Sequence, residues 1–357
     1  MNELESPEVD ELAWERAAAD HDQAAELVAS GQLDVAEPLA LAAAEALREL
    51  LGEDHPDYAN ALGTVAQIAE QRGRLREAID LGRQALAILE LHRDEPVVEP
   101  MRAALSMQLG FRLAIAGHYA EAETRSREAL ALTPAEHPFE AEAWVNLGVS
   151  LRLAGRHEEA EAAYRRGLEL YEAACESIPS ALHHNLAGLA FARADHALAE
   201  AHARAALAAR EQSGDQDPFA RGQDLCGLGD ALAGQGRVDE AERAYREGLA
   251  CYAQTGRVEH VEVAFALHNL ADVLADRGHL AEAEASYQQA LALKRRLLGP
   301  AHHELAASEC NLAVLYASTG RLEQARSLAA EAVEIVRSLD ARHPVRVGVE
   351  ACARSLA

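Results

Sequence analysis

One spacing constrains this chain more than any other feature: a glycine about every forty residues, followed five residues later by an alanine. Gly31, Gly73, Gly117, Gly155, Gly236, Gly278 and Gly320 mark seven copies, and Ala194 holds the same place in a further one, the fifth of eight. The alanines are Ala36, Ala78, Ala122, Ala160, Ala199, Ala241, Ala283 and Ala325, and the interval settles at forty-two residues in the last half. A period in this range belongs to stacked helical repeats. Such chains bury their apolar faces between neighbours and expose long surfaces, so the pattern favours binding over catalysis in one enclosed pocket.

The fourth copy, Ala141 to Leu170, shows how each unit folds. Before Gly155, Trp144, Leu147, Gly148 and Leu151 share one helical face; after it, Ala160, Tyr164, Gly167 and Leu168 do the same. Glycine ends the first helix by taking a left-handed conformation. The small residues Gly148, Ala160 and Gly167 let the two helices approach closely. His-Pro recurs in the connectors at His55–Pro56, His137–Pro138 and His343–Pro344, where proline can open the next helix at its first turn.

The pattern W-x2-L-G-x2-[YL]…G…A-x3-[FY]-x2-[AG] resembles the tetratricopeptide repeat. The connectors LLGEDHPDYANAL (Leu50–Leu62) and LLGPAHHEL (from Leu297) resemble the forty-two-residue variety of kinesin light chains and bacterial homologues. Repeats one, three and five depart most: Gln32, His118 and Ala194–Asp195 replace the usual Gly-Arg. The resemblance implies an all-α, right-handed α-solenoid of about eight repeats over residues 10–340. An acidic tail (1–9) precedes it, and a capping helix (341–357) covers its last apolar face.

In such hairpins the residue nine before the glycine faces a concave groove. Here that register reads Asp22, Thr64, Gln108, Asn146, Asn185, Gly227, Asn269 and Asn311. Asparagine is disfavoured inside helices, yet it fills four of the eight places. Its amide both donates and accepts, which suits it to a peptide backbone of any sequence. The resemblance assigns that role to Asn146, Asn185, Asn269 and Asn311. One turn earlier stand Ala18, Asn60, Ala104, Glu142, Ala181, Gln223, Phe265 and Ala307, without the lysine or arginine that clamps a C-terminal carboxylate. Phe111, Arg152, Asp230, Asp272 and Asp276 complete the expected groove. Its second half is acidic and suited to a basic or amphipathic segment.

Other readings fall away on composition and spacing. With 33 Lys+Arg against 59 Asp+Glu the net charge is −26, which repels nucleic acid and anionic membrane. No apolar run is long enough to span a bilayer, and the five cysteines lack CxxC pairing, as in a cytoplasmic, reducing setting. Position ten before the glycine carries His21, His184, Cys226, His268 and Cys310, but one copy supplies one ligand at most. Tetrahedral zinc needs every ligand within about 2.0–2.3 Å of the ion, so neither metal nor cofactor is expected. P-loop, GxSxG and HExxH motifs are missing. The sequence therefore reads as a non-enzymatic adaptor that binds a protein or peptide. The alternative is a regulatory receptor whose ligand changes the curvature of the repeats.

Overall fold

The computed structural model describes residues 10–134, 137–174, 178–256, 258–339, 341 and 343–356; the acidic tail assigned to residues 1–9 and the thiol of Cys175 lie outside them. Among the described residues there are seventeen α-helices, one 3-10 turn at Pro96–Val98, and no strand. In order they are α1 (Glu11–Ala29), α2 (Leu33–Leu51), α3 (Pro56–Gln71), α4 (Leu75–Leu91), α5 (Glu99–Ile115), α6 (Tyr119–Leu132), α7 (Pro138–Leu153) and α8 (His157–Ala173). There follow α9 (Ser180–Ala192), α10 (His196–Ser213), α11 (Pro218–Gly234), α12 (Val238–Gln254), α13 (Val261–Asp276), α14 (Leu280–Leu297), α15 (His303–Ser318), α16 (Leu322–Val336) and α17 (Pro344–Leu356). Each odd-numbered helix from α1 to α15 is the first of a hairpin. The contacts group into two compact units that divide between Leu170 and Tyr171.

The turn register predicted from sequence is the one observed. Gly155 has φ +77°, and Arg156 N–H closes the turn on Leu151 C=O at 2.9 Å. Ala194 adopts the same left-handed backbone (φ +59°) and is the one non-glycine to do so among the described residues. An L-residue pays about 1–2 kcal/mol for that conformation. The alanine five residues on is sealed in all eight hairpins, at 1% exposure for Ala199 and 0% for the others. Close approach also depends on the glycine seven before the turn. A Cβ on Gly148 would lie 2.4 Å from the Tyr164 ring, and one on Gly229 would lie 2.7 Å from Tyr245.

Neighbouring repeats are also tied by charge. The arginine after the turn glycine reaches a glutamate six residues after the previous turn: Arg74 to Glu37, Arg156 to Glu123, Arg237 to Glu200 and Arg321 to Glu284. In repeat seven, where His279 replaces that arginine, Arg277 takes over and pairs with Glu242. These pairs are partly exposed and add little stability each, but they recur in one register. The connector histidines act as helix caps: Nδ1 of His55, His137, His260 and His302 each accepts the N–H two residues on, at 3.2–3.3 Å. That satisfies one of the free donors at a helix start. Helix α17 lies on α15 and α16, with Val349 packed against Ala306, Cys310, Ala332 and Val336.

Candidate partner-binding row on the first helices

Polar residues on the first helices of the second unit meet across repeats. Asn269 on α13 donates Nδ2–H to Asp230 Oδ1 on α11 at 2.7 Å, and Asn311 on α15 donates to Asp272 Oδ1 on α13 at 2.8 Å. Each aspartate oxygen takes a second bond from a tyrosine of its own hairpin. Tyr245 OH donates to Asp230 at 2.6 Å, and Tyr287 OH donates to Asp272. Two of the four asparagines are therefore bonded to the protein itself through their N–H groups, and the row runs Asp–Asn–Asp–Asn over three hairpins. Burial pushes the Asp230 carboxyl up to about 6, against the opposing pull of its Tyr245 and Asn269 hydrogen bonds. Asp272 is raised as well, by the same loss of water.

The charge on these two aspartates is unusual for its setting. Several enclosed or half-enclosed carboxylates elsewhere in the second unit face arginine: Asp224 meets Arg210, Glu242 meets Arg277, Glu284 meets Arg321 and Glu309 meets Arg295. Among the described residues neither Asp230 nor Asp272 forms an ion pair with arginine or lysine. His268 Nε2 lies 3.6 Å from Asp272 Oδ2, but burial holds His268 down to about 3, so the imidazole is neutral. The third predicted carboxylate, Asp276, is exposed at the end of α13.

The remaining predicted residues behave differently. Among the described residues no side-chain hydrogen bond engages the amides of Asn146 and Asn185, both half-buried. The aspartate register is filled by Phe111 in repeat three and Val149 in repeat four. In the first unit, Arg112 on α5 is 1% exposed, donates Nε–H to Glu70 on α3 at 2.6 Å, and meets Gln108 Oε1 at 3.4 Å. Asn60, Phe111 and Arg152 are half-buried. Sequence reading singled out Gln108 and passed over Arg112 and Glu70, because an arginine five and a carboxylate three residues before different glycines share no register.

Beneath Phe265 lies a network that spacing did not reveal. Lys294, the only lysine in the chain, is fully enclosed and sits 4.7 Å over the Phe265 ring. Its Nζ donates to Ser308 Oγ at 2.9 Å, and Ser308 Oγ is 3.0 Å from His268 Nδ1. By position alone, Lys294, Arg295 and Arg296 in the last turn of α14 would all be solvent-facing cations at the carbonyl end of the helix. Instead the lysine turns inward, while Arg295 pairs with Glu309 and Arg296 with Glu259. Serine, histidine and aspartate here share a spacing seen in nucleophilic sites, but Ser308 is 0% exposed. No substrate carbonyl reaches that hydroxyl, and the network works as an internal polar tie between α13, α14 and α15.

Stacked hairpins with a polar row along their first helices define a helical-repeat scaffold of the kind that holds protein partners. The chain belongs to the tetratricopeptide repeat family, which matches residues 15–90, 101–173 and 262–338, with a second repeat type of the same name over 225–255. It is similar in structure to a Rap protein complexed with Competence and Sporulation Factor, at 12% identity and TM-score 0.59, over 96% of this chain and 98% of that one. The apo form of RapI is similar at 15% identity and TM-score 0.57, over 79% and 98%. Repeats of a candidate kinesin light chain from Podosopora anserina share 25% identity over 50% of this chain and 85% of that one, with TM-score 0.42. None of the curated proteins matches the chain.

Proposed function

We propose that the chain is a non-enzymatic adaptor that binds an extended protein segment along its first helices, and that the second unit selects a segment carrying arginine or lysine. The observation that carries this reading is that, among the described residues, Asp230 and Asp272 are hydrogen-bonded by neutral side chains and not ion-paired with arginine or lysine. Each has one oxygen saturated by neutral donors (Tyr245 and Asn269, Tyr287 and Asn311), and among the described residues neither carries a direct ion pair with arginine or lysine, although Lys294 acts on Asp272 and His184 on Asp230 from farther away. A half-buried carboxylate without a counter-charge is costly, and a partner's guanidinium or ammonium removes the cost on binding. Asn146 and Asn185 hold unengaged amides suited to the segment's backbone. That a Rap protein of similar fold is complexed with Competence and Sporulation Factor supports reading the array as a binding scaffold.

Selection from a random peptide display library against the full chain tests the reading. The expected winners are enriched in arginine or lysine, bind more weakly as salt rises, and lose at least about tenfold in affinity with Asp230→Asn plus Asp272→Asn. Helicity should be unchanged in that variant. Winners without basic residues, indifferent to salt and to both substitutions, would overturn it and move the contact to Phe111 and Phe265.

A further inference from the structure

Five cysteines are scattered through the sequence without a motif, but the fold brings two of them together. Cys310 lies on α15 in the last hairpin, 5% exposed, and Cys352 lies on α17, half-buried. Cys352 Sγ sits 3.7 Å from Cys310 C=O, and Cys310 Sγ sits 3.9 Å from Val349 C=O on α17. The two side chains thus pass one another, each thiol reaching the backbone of the opposite helix. Cys226 and Cys251 are on α11 and α12, the two helices of the sixth hairpin.

We propose that Cys310 and Cys352 form a reversible redox pair whose disulfide locks the capping helix α17 onto the last hairpin. The helix is held otherwise by a small apolar seam, by Arg346 donating to Leu339 C=O at 2.7 Å and by Arg326 donating to Leu356 C=O at 3.0 Å. Elements at the end of a repeat array touch a neighbour on one side only and open first. When α17 leaves, it uncovers Ala306, Cys310, Ala332 and Val336, an apolar face on which another helix could seat. A covalent link across the seam removes that option.

The chemistry needs a hydroperoxide as oxidant and balances in two steps. Cys352 thiolate attacks one peroxide oxygen; the O–O bond breaks, Cys352 becomes a sulfenic acid, and the departing hydroxide takes up the proton that the Cys352 thiol released, leaving one water. The Cys310 sulfur then attacks the Cys352 sulfur. The S–S bond forms, the S–O bond breaks, and the departing hydroxide takes the Cys310 proton as a second water. Two thiols lose two electrons and the peroxide gains them. Contact with Cys310 holds the Cys352 thiol down to about 7, whereas burial pushes Cys226 and Cys251 up, so Cys352 is the thiol poised to attack first. An intracellular chain can use such a bond transiently, as a sensor rather than a permanent staple.

The test treats the full chain with stoichiometric hydrogen peroxide and follows it by peptide mass mapping and amide exchange. The expected product has lost two hydrogen atoms, with the peptides bearing Cys310 and Cys352 linked. Exchange in α17 slows at least about tenfold, as expected when local opening is blocked, and dithiothreitol restores it. Cys310→Ala, checked for native helicity, should instead accumulate a Cys352 sulfenic acid that dimedone traps; Cys310→Ser serves if the alanine variant unfolds. Cys352 linked to another cysteine, overoxidation of Cys352 with Cys310 still free, or a Cys310–Cys352 link that leaves α17 exchange unchanged would each overturn the proposal.

Discussion

The two units solve the same electrostatic problem in opposite ways. In the first, the carboxylate on the first-helix face is Glu70, and the chain supplies its cation: Arg112, buried and 2.6 Å away. In the second, Asp230 and Asp272 receive hydrogen bonds from tyrosine and asparagine but no cation. A built-in guanidinium completes a charge pair and leaves that stretch self-sufficient. Neutral donors shape a carboxylate and fix its direction while leaving its charge to be met from outside. On the proposed reading, the difference separates a stretch that holds the array together from one open to a partner's cation.

The sharpest way to break this comparison is Arg112→Met. It strands Glu70 beside a dry helix face, and removing one member of an enclosed pair costs about 3 kcal/mol, toward the low end because Glu70 keeps some exposure. Thermal unfolding should show the first unit melting about 6–12 °C lower. No shift would mean that the pair is ornamental and that the units do not differ in this respect.

The asparagines give the next largest effects, and they should split into two kinds. Asn269→Ala or Asn311→Ala takes a donor from a half-buried carboxylate and should cost stability by about 1–3 kcal/mol. Asn146→Ala or Asn185→Ala should leave stability unchanged or slightly higher, since alanine is the better helix former. Each should weaken a selected peptide by about 0.5–1.5 kcal/mol. Denaturant titrations beside binding isotherms for the four single variants would decide it; equal behaviour of all four would dissolve the distinction.

The pH dependence comes third. Asp230 titrates near 6 when folded against an ordinary 3.8, so between those values the native chain binds the extra proton. Stability at this group therefore rises as pH falls through 6 and is fully gained below 3.8. A sealed carboxyl with this shift would give up to about 3 kcal/mol, and partial exposure screens it to about 1 kcal/mol. His184, Asp272 and Tyr245 also act on this carboxyl, so the comparison of wild type with Asp230→Asn at pH 4.5 and 7.5 isolates it. The smallest effect belongs to Ala194→Gly, which should stabilise by about 0.5–1 kcal/mol by releasing left-handed strain. An unchanged midpoint would show that repeat five pays nothing for its missing glycine.

Much of the fold was readable because sterics repeat. A left-handed turn, a sealed alanine and a glycine facing Tyr164 each permit few residue types, so Gly155, Ala160 and Gly148 announce themselves. The row on the first helices was readable only in part. Asn269 and Asp230 lie 39 residues apart and were placed as separate groove positions, although they share a hydrogen bond. A signal was present within the chain. Asp six before the glycine coincides with Tyr nine after it and with Asn in the next repeat, in Asp230–Tyr245–Asn269 and again in Asp272–Tyr287–Asn311. Lys294 is not legible in the sequence, because helix-end position alone points to solvation, whereas its direction is set by the cavity that Phe265, Ser308 and Glu304 form around it.

That enclosed lysine makes the chain its own reporter. Acylating reagents that modify side-chain amines find none on the native surface, because the sole candidate is 0% exposed behind Phe265. Labelling at Lys294 therefore requires the seam between α14 and α15 to part, and the rate of label uptake clocks how often the seam opens. A ligand seated on Asp272 and Asn311, which tie α15 to α13 beside that seam, should slow the clock, so its arrival can be timed without attaching a dye.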